Sequence, residues 1–338
     1  MQTRTSDPVP GRSRSRGSLL VLAASVAAAA IMLAPVPWAT GVSASDALFP
    51  LAVTDDEGTE VTIDAEPQRI ISLSPANTEI AFALGAGDRL VGRTDWDDYP
   101  AEAAELTPVA SFTGVNMEQV VALEPDLVLA AGNFFTPPDD IERMRELGYP
   151  VVVIYAPDVP AVMADIELIG SAIGAREEAA ALTAQMATEF DAIREAVAAI
   201  DARPRVFYQV GSEPEIFAPA PGSFVADMVT LAGGDPITTA DAAAWAIPLE
   251  ELIVADPEVI ILGDANYGVC PADVAARPGW EGMTAVVTGD VRAVDDVPVT
   301  RPGPRLTQGL ASLARAIHPD LELPAFPPDA PLCEGAGA

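Results

Sequence analysis

No lysine occurs anywhere in the 338 residues: all 18 basic side chains are arginine, set against 50 acids for a net charge of −32. A surface this acidic repels phosphate backbones and anionic headgroups, which argues against nucleic acid and membrane surfaces as partners. The charge serves solubility, including in a salty medium, and scattered acids by themselves identify no ligand. Histidine occurs once, as His318 just before Pro319, in a helix-ending context. A triad built on a central imidazole therefore has nowhere to form, and a metal site made of several histidines is excluded by count. There is no Gly-Lys phosphate loop and no dinucleotide fingerprint. Asp97-Asp98 and Asp295-Asp296 could in principle serve acid–base chemistry, but in so acidic a chain such pairs read as solvated loop charges. The expectation is a protein that is not an enzyme, with no resident cofactor or metal. Cysteine is limited to Cys270 and Cys333. In an exported chain such a pair is expected to bridge, and closing that loop stabilises by on the order of 4 kcal/mol on the chain-entropy description.

What is present begins with a leader. Arg4, Arg12, Arg14 and Arg16 precede an apolar run, Ser18 to Trp38, broken by Pro35 and Pro37, and Val42-Ser43-Ala44 offers a small-x-small cleavage site. Residues 1–44 read as a secretory signal peptide. The alternative is an uncleaved anchor, because the run is about long enough to span a bilayer. No Cys lies near the cleavage site, so a lipid-anchored N-terminus is not indicated. Either way the working protein lies outside the cytoplasm, periplasmic or at the cell surface.

The stretch Arg176 to Ile200 contains neither Gly nor Pro, and Leu182, Met186, Phe190, Ile193, Val197 and Ile200 recur at helical spacing. It predicts one amphipathic helix of roughly 37 Å. The chain on either side looks like two copies of one unit. NMEQVVALEPDLVLAAG from Asn116 and PLEELIVADPEVIILGD from Pro248 both give an acidic helix start, an apolar helix, an acid-Pro-acid turn and a buried strand. RIISLS from Arg69 and RVFYQV from Arg205 repeat the first strand. Strands separated by helices imply an α/β fold: two parallel-sheet lobes joined by a single long helix, with a ligand cleft between them. The expected divisions are an N-terminal lobe over 45–156, linking helices over 157–202 and a C-terminal lobe over 203–338.

Of only 19 aromatic residues, an unusual share falls in expected strand-end loops: Trp96, Tyr99, Phe112, Phe134, Phe135, Phe217, Trp245 and Tyr267. Each alone could be ordinary edge packing. Together, in both lobes, they suit a large, flat, partly apolar ligand. Arg301, in a Pro-rigid loop, could meet a ligand carboxylate or amide, or form a surface ion pair with Asp295 or Asp296. Glu118 and Glu250 hold equivalent places in the first turns of the repeated helices, where a carboxylate favours the positive helix end. They also present one acid per lobe to a symmetric partner.

At RIISLSPANTEIAFALGAG, DWDDYP, ASFTGVNMEQVVALEPDLVLA and RPGPRL the sequence resembles the periplasmic binding proteins that feed vitamin B12 and ferric-siderophore importers, over about Val53 to Pro319. The first three motifs look closest to the vitamin B12-binding members. The resemblance implies two α/β lobes joined by a rigid helix, little hinge motion and a ligand held in the cleft, and a monomer is expected. It implies Glu118 and Glu250 docking on arginines of an ABC permease, and ligand aromatics at Trp96, Phe112 and near Trp245. A Trp of the B12-binding pattern is absent after the strand ending at Ala130, which shifts the expected stacking surface to Phe134 or Phe135. A corrinoid is the first expectation for the ligand. A ferric siderophore is the alternative, with Arg93 and Arg301 as candidates, and haem comes third. A transporter-independent sensing module would use the same fold.

Overall fold

The computed structural model describes residues 48–133, 135–323, 325–327 and 332–333; the expected leader and Phe134 lie outside these described residues. Strands β1 (Leu51–Thr54) and β2 (Glu60–Ile63) form an antiparallel hairpin around the turn of Asp55 to Gly58. The first lobe's sheet comprises β3 (Ile70–Ser72), β4 (Leu90–Thr94), β5 (Thr107–Ser111), β6 (Gly114–Val115), β7 (Leu127–Ala131) and β8 (Val151–Ile154). Its order is β6-β5-β4-β3-β7-β8, parallel except for the β5–β6 edge. Helices α1 (Pro75–Ala83), α2 (Met117–Leu123) and α3 (Pro138–Glu146) connect these strands. Then α4 (Val159–Ala172) leads into α5 (Arg176–Ala198), the long helix, which stops two residues short of the expected Ile200 and is about 34 Å long.

The second sheet is four-stranded and parallel: β9 (Arg205–Gln209), β10 (Asp235–Pro236), β11 (Val259–Leu262) and β12 (Val291–Ala293), in the order β10-β9-β11-β12. Around it lie α6 (Phe224–Leu231), α7 (Leu249–Ala255), α8 (Pro271–Ala275), α9 (Thr284–Thr288), α10 (Asp296–Thr300) and α11 (Leu306–Ile317). Cys270 and Cys333 are bridged, with Cα atoms 5.8 Å apart.

The strands read as unbroken apolar runs because both faces are covered. Alternation sends Ile70, Leu127, Leu129, Val152, Val206 and Ile261 to one core, which the buried Ala179, Met186, Ile193 and Val197 of α5 share. Ile71, Val128 and Val153 go to the outer face of the first sheet, and Phe207, Ile260 and Leu262 to that of the second.

The duplication extends to individual hydrogen bonds. Arg69 opens β3 and its Nε donates to the carbonyls of Leu123 and Glu124 at the end of α2 (2.8 and 3.2 Å). Arg205 opens β9 and its Nε donates to the carbonyls of Ala255 and Asp256 at the end of α7 (3.1 and 3.0 Å). These cations satisfy carbonyls that a helix end leaves without partners. Glu124 and Asp256, the first acids of the two acid-Pro-acid turns, both adopt the left-handed conformation, at φ 47° and 46°. The second acids return the contact: Asp126 accepts from the Arg69 amide (2.8 Å) and Glu258 from the Arg205 amide (3.0 Å).

Helices α4 and α5 approach closely at Gly170. A Cβ there would lie 2.4 Å from the Ala179 Cβ and 3.0 Å from the Ala175 carbonyl oxygen. Gly170→Ala is expected to destabilise the protein by about 1–3 kcal/mol through overpacking, read as a lower midpoint in thermal denaturation.

Candidate ligand-binding cleft

A cleft of about 530 Å³ lies where the carboxyl ends of the first sheet's strands face the second lobe. The first lobe supplies Ser74 to Asn77 after β3, Ala131 to Asn133 after β7, and Ile154 to Pro157 after β8. The second supplies Gly222 to Val225 at the start of α6, Trp245, and Thr300 to Pro302 after α10. Each lobe thus brings a serine-capped helix start to the cleft: Ser74 Oγ accepts from the Asn77 amide (3.2 Å) and Ser223 Oγ from the Ala226 amide (3.4 Å). Helix starts present N–H groups and a positive end, which suits acceptors such as amide carbonyls. Asn77 is buried and donates to the carbonyls of Leu129 and Ala130 (3.3 and 3.2 Å), tying α1 to β7.

Among the described residues, three exposed aromatic rings line the cleft: Phe135, Tyr155 and Trp245, with the half-buried Phe224 beside them. Asn133 Nδ2 donates to the Tyr155 hydroxyl at 3.3 Å. Asp165 of α4 is buried in the same wall and hydrogen-bonds Asp56, whose carboxylate also accepts from the Tyr155 amide (2.7 Å). Burial first, then the negative charge of Asp56 and its hydrogen bond, pushes the Asp165 carboxyl up to about 8. Its neighbour Asp55 is charge-matched by Arg145 at 2.9 Å. At neutral pH the Asp165 side chain holds a proton and adds no charge to the cleft. Because the folded carboxyl binds its proton more tightly than the unfolded chain does, its contribution is complete at low pH and fades as pH rises from about 4 to about 8. Asp165→Asn stays neutral throughout, so it is expected to gain roughly 4 kcal/mol on the parent between pH 5 and pH 8.5 in denaturant titrations.

Arg301 is the one cationic side chain among the described lining residues. The expected partners Asp295 and Asp296 do not pair with it. Asp295 caps α10, accepting from the Val297 amide (3.1 Å), and Asp296 accepts from the Tyr208 hydroxyl (2.5 Å). Arg301 Nη1 instead donates to Glu79 of α1 (2.7 Å) and to Asp98 (2.9 Å). Burial works against the Arg301 charge, but those hydrogen bonds outweigh it and hold its pKa above the ordinary guanidinium value. Arg305 forks onto the same Glu79, with Nε at 2.8 Å and Nη2 at 2.6 Å, and stacks on the Tyr99 ring at 3.9 Å. The cluster joins the two lobes beside the cleft.

Of the other expected ligand residues, Trp96 and Phe112 pack against each other with ring centres 4.2 Å apart and planes tilted by 54°, outside the cleft lining. Tyr267 is 86% exposed and also outside it. Phe217 spends its backbone on bridges to Gly211 and Ala246 and does not line the cleft. Phe134 lies outside the described residues. Arg93 bonds the carbonyls of Thr94 and Ala104, away from the lining. Asp97 and Asp296 are not the solvated charges expected of them. Asp97 is buried against the hydroxyls of Thr78 and Thr94, and burial raises the pKa of both acids. Glu118 and Glu250 are exposed in the first turns of α2 and α7. Tyr155, Phe224, Asn77 and Asp165 were not anticipated as cleft residues. Tyr155 follows the last residue of β8, and that strand-end place was the available signal.

Residues 70–298 match the family described as Periplasmic binding protein. The chain is 36% identical over 278 residues to the ABC transporter substrate-binding lipoprotein YvrC of Bacillus subtilis (strain 168), covering 81% of this chain and 87% of that protein. It is 33% identical over 311 residues to a cobalamin-binding protein of Halobacterium salinarum (strain ATCC 29341 / DSM 671 / R1), covering 89% of this chain and 83% of that one. Among solved structures, the periplasmic vitamin B12 binding protein BtuF of Vibrio cholerae superposes with a TM-score of 0.65 at 26% identity, covering 75% of this chain and 97% of that one.

Proposed function

The chain belongs to the periplasmic binding protein family, and from that premise we propose that it captures a corrinoid outside the cytoplasm and delivers it to the permease of an ABC importer. The observation that carries this reading is the charge of the cleft wall. Rings of Phe135, Tyr155 and Trp245 offer flat apolar surface, helix starts offer donors for carbonyl oxygens, and the lining cation is already matched by Glu79 and Asp98. A corrin ring edged with neutral amides fits such a wall, because stacking and hydrogen bonds hold it without an unpaired charge. A ferric siderophore is the alternative, and a neutral hydroxamate complex fits this wall better than an anionic catecholate one. The names of the Halobacterium and Vibrio relatives support the corrinoid. Glu118 and Glu250 are the proposed contacts with the permease, one on each lobe. The leader over residues 1–44 is the proposed means of export.

Titration with cyanocobalamin and with a ferric hydroxamate, followed by tryptophan fluorescence and calorimetry, tests the proposal. Trp245 lines the cleft and should report occupancy. One-to-one binding of cyanocobalamin is the expected result. Binding of the iron chelate alone would replace the corrinoid with the siderophore.

A further inference from the structure

We infer that Glu79, which does not itself line the cleft, determines which ligand charge the cleft accepts. The inference rests on the reading of the cleft as a site for a corrinoid or iron chelate. An arginine in a ligand wall ordinarily recruits carboxylates or other oxyanions. Arg301 lines this wall, yet its Nη1 is committed to Glu79 Oε1 at 2.7 Å and Asp98 Oδ1 at 2.9 Å. The side chain of Glu79 is 2% exposed and also takes the whole fork of Arg305 at 2.8 and 2.6 Å. Two cations face two anions, and the cluster has no net charge to offer.

An acidic ligand must then compete with a buried, triply bonded carboxylate for Arg301. It approaches, moreover, a chain whose net charge is −32. A neutral ligand rich in amides meets neither obstacle. Glu79 thus acts as an internal counter-ion occupying the place that an anionic ligand group would take. Because Glu79 belongs to the first lobe and both arginines to the second, it also ties the lobes together, so its selectivity role must be separated from a purely structural one.

A pair of ligands of equal size makes that separation: cyanocobalamin, and its monocarboxylic derivative in which one peripheral amide is hydrolysed to a carboxylate. The wild-type protein is expected to bind the acid about tenfold more weakly than the amide. Glu79→Gln removes one negative charge at constant shape, and the gap is expected to close to about threefold or less, whatever happens to the absolute affinities. Asp98→Asn, at a side chain 66% exposed, is expected to fold normally and to narrow the gap partway. It carries the test alone if Glu79→Gln does not fold. A structural tie alone would weaken both ligands in parallel; an unchanged ratio in the folded variants overturns the inference and leaves the corrinoid reading intact. If the wild-type protein binds no corrinoid, the same ratio is read on a neutral ferric trihydroxamate and an anionic ferric tris-catecholate. Binding of none of these ligands overturns the reading of the cleft, and this inference with it.

Discussion

Reversing both exposed acids, Glu118→Arg together with Glu250→Arg, is expected to cut uptake through a reconstituted permease at least about tenfold while leaving ligand affinity within about twofold. The two carboxylates occupy matched places. Each is the second residue of its helix, each helix ends in a left-handed acid before Pro, and each end is held by the arginine that opens the lobe's first strand. One turn further on, Val121 and Ile253 leave matched apolar side chains about half exposed, at 47% and 42%. A permease with two arginine-bearing subunits would meet an acid and an apolar neighbour from each lobe. Reversal turns two attractions into two repulsions at the rim of that contact. Losing an acid from a first turn costs about 0.3–1 kcal/mol, so the double variant should still fold. A single reversal should give an intermediate loss. Full uptake by the double variant, with import still dependent on the protein, would show that docking lies elsewhere.

Arg305→Ala is expected to destabilise the protein by about 3–5 kcal/mol, because breaking a buried pair leaves the remaining partner under-compensated. Glu79 loses its fork, at 2.8 and 2.6 Å, and keeps only Arg301. Tyr99 loses the guanidinium stacked on its ring. A fall in the thermal midpoint of roughly 6–15 °C should accompany the change. A drop of less than about 2 °C would mean that the cluster adds little to stability.

Much of the fold was legible because its strands are buried on both faces and its helices are punctuated. The apolar runs at Arg69, Arg205 and Val259 and the long Gly- and Pro-free stretch leave little ambiguity, and α11 ends at Ile317, just before the His318 whose context read as helix-ending. The short edge strands β5 and β6 were not read, since Pro108 and Gly114 break any alternation there. The cleft was less legible. Seeking aromatics in loops found Phe135 and Trp245 but passed over Tyr155, which directly follows a strand, and Phe224, which opens a helix. Of the polar cleft residues Arg301 was anticipated, but Asn77 and Asp165 were not. Asp165 looked like one more acid among 50, and only the fold sets it against Asp56, 109 positions earlier in the chain. Arg301 was read as a ligand contact or as a pair with its sequence neighbours Asp295 and Asp296, whereas its partner Glu79 stands 222 residues away. Local sequence could show that the loop was rigid but not what it was braced against.

The core that passes from Ile70 and Leu127 of one sheet to Val206 and Ile261 of the other, by way of Met186, Ile193 and Val197, has no break at which the body could come apart. Two lobes in outline are therefore one unit in thermodynamic terms. Neither half can melt without exposing packing of its neighbour, so the two lobes are expected to unfold together, in a single calorimetric endotherm. Damage to packing on either side of the cleft is shared by the whole body.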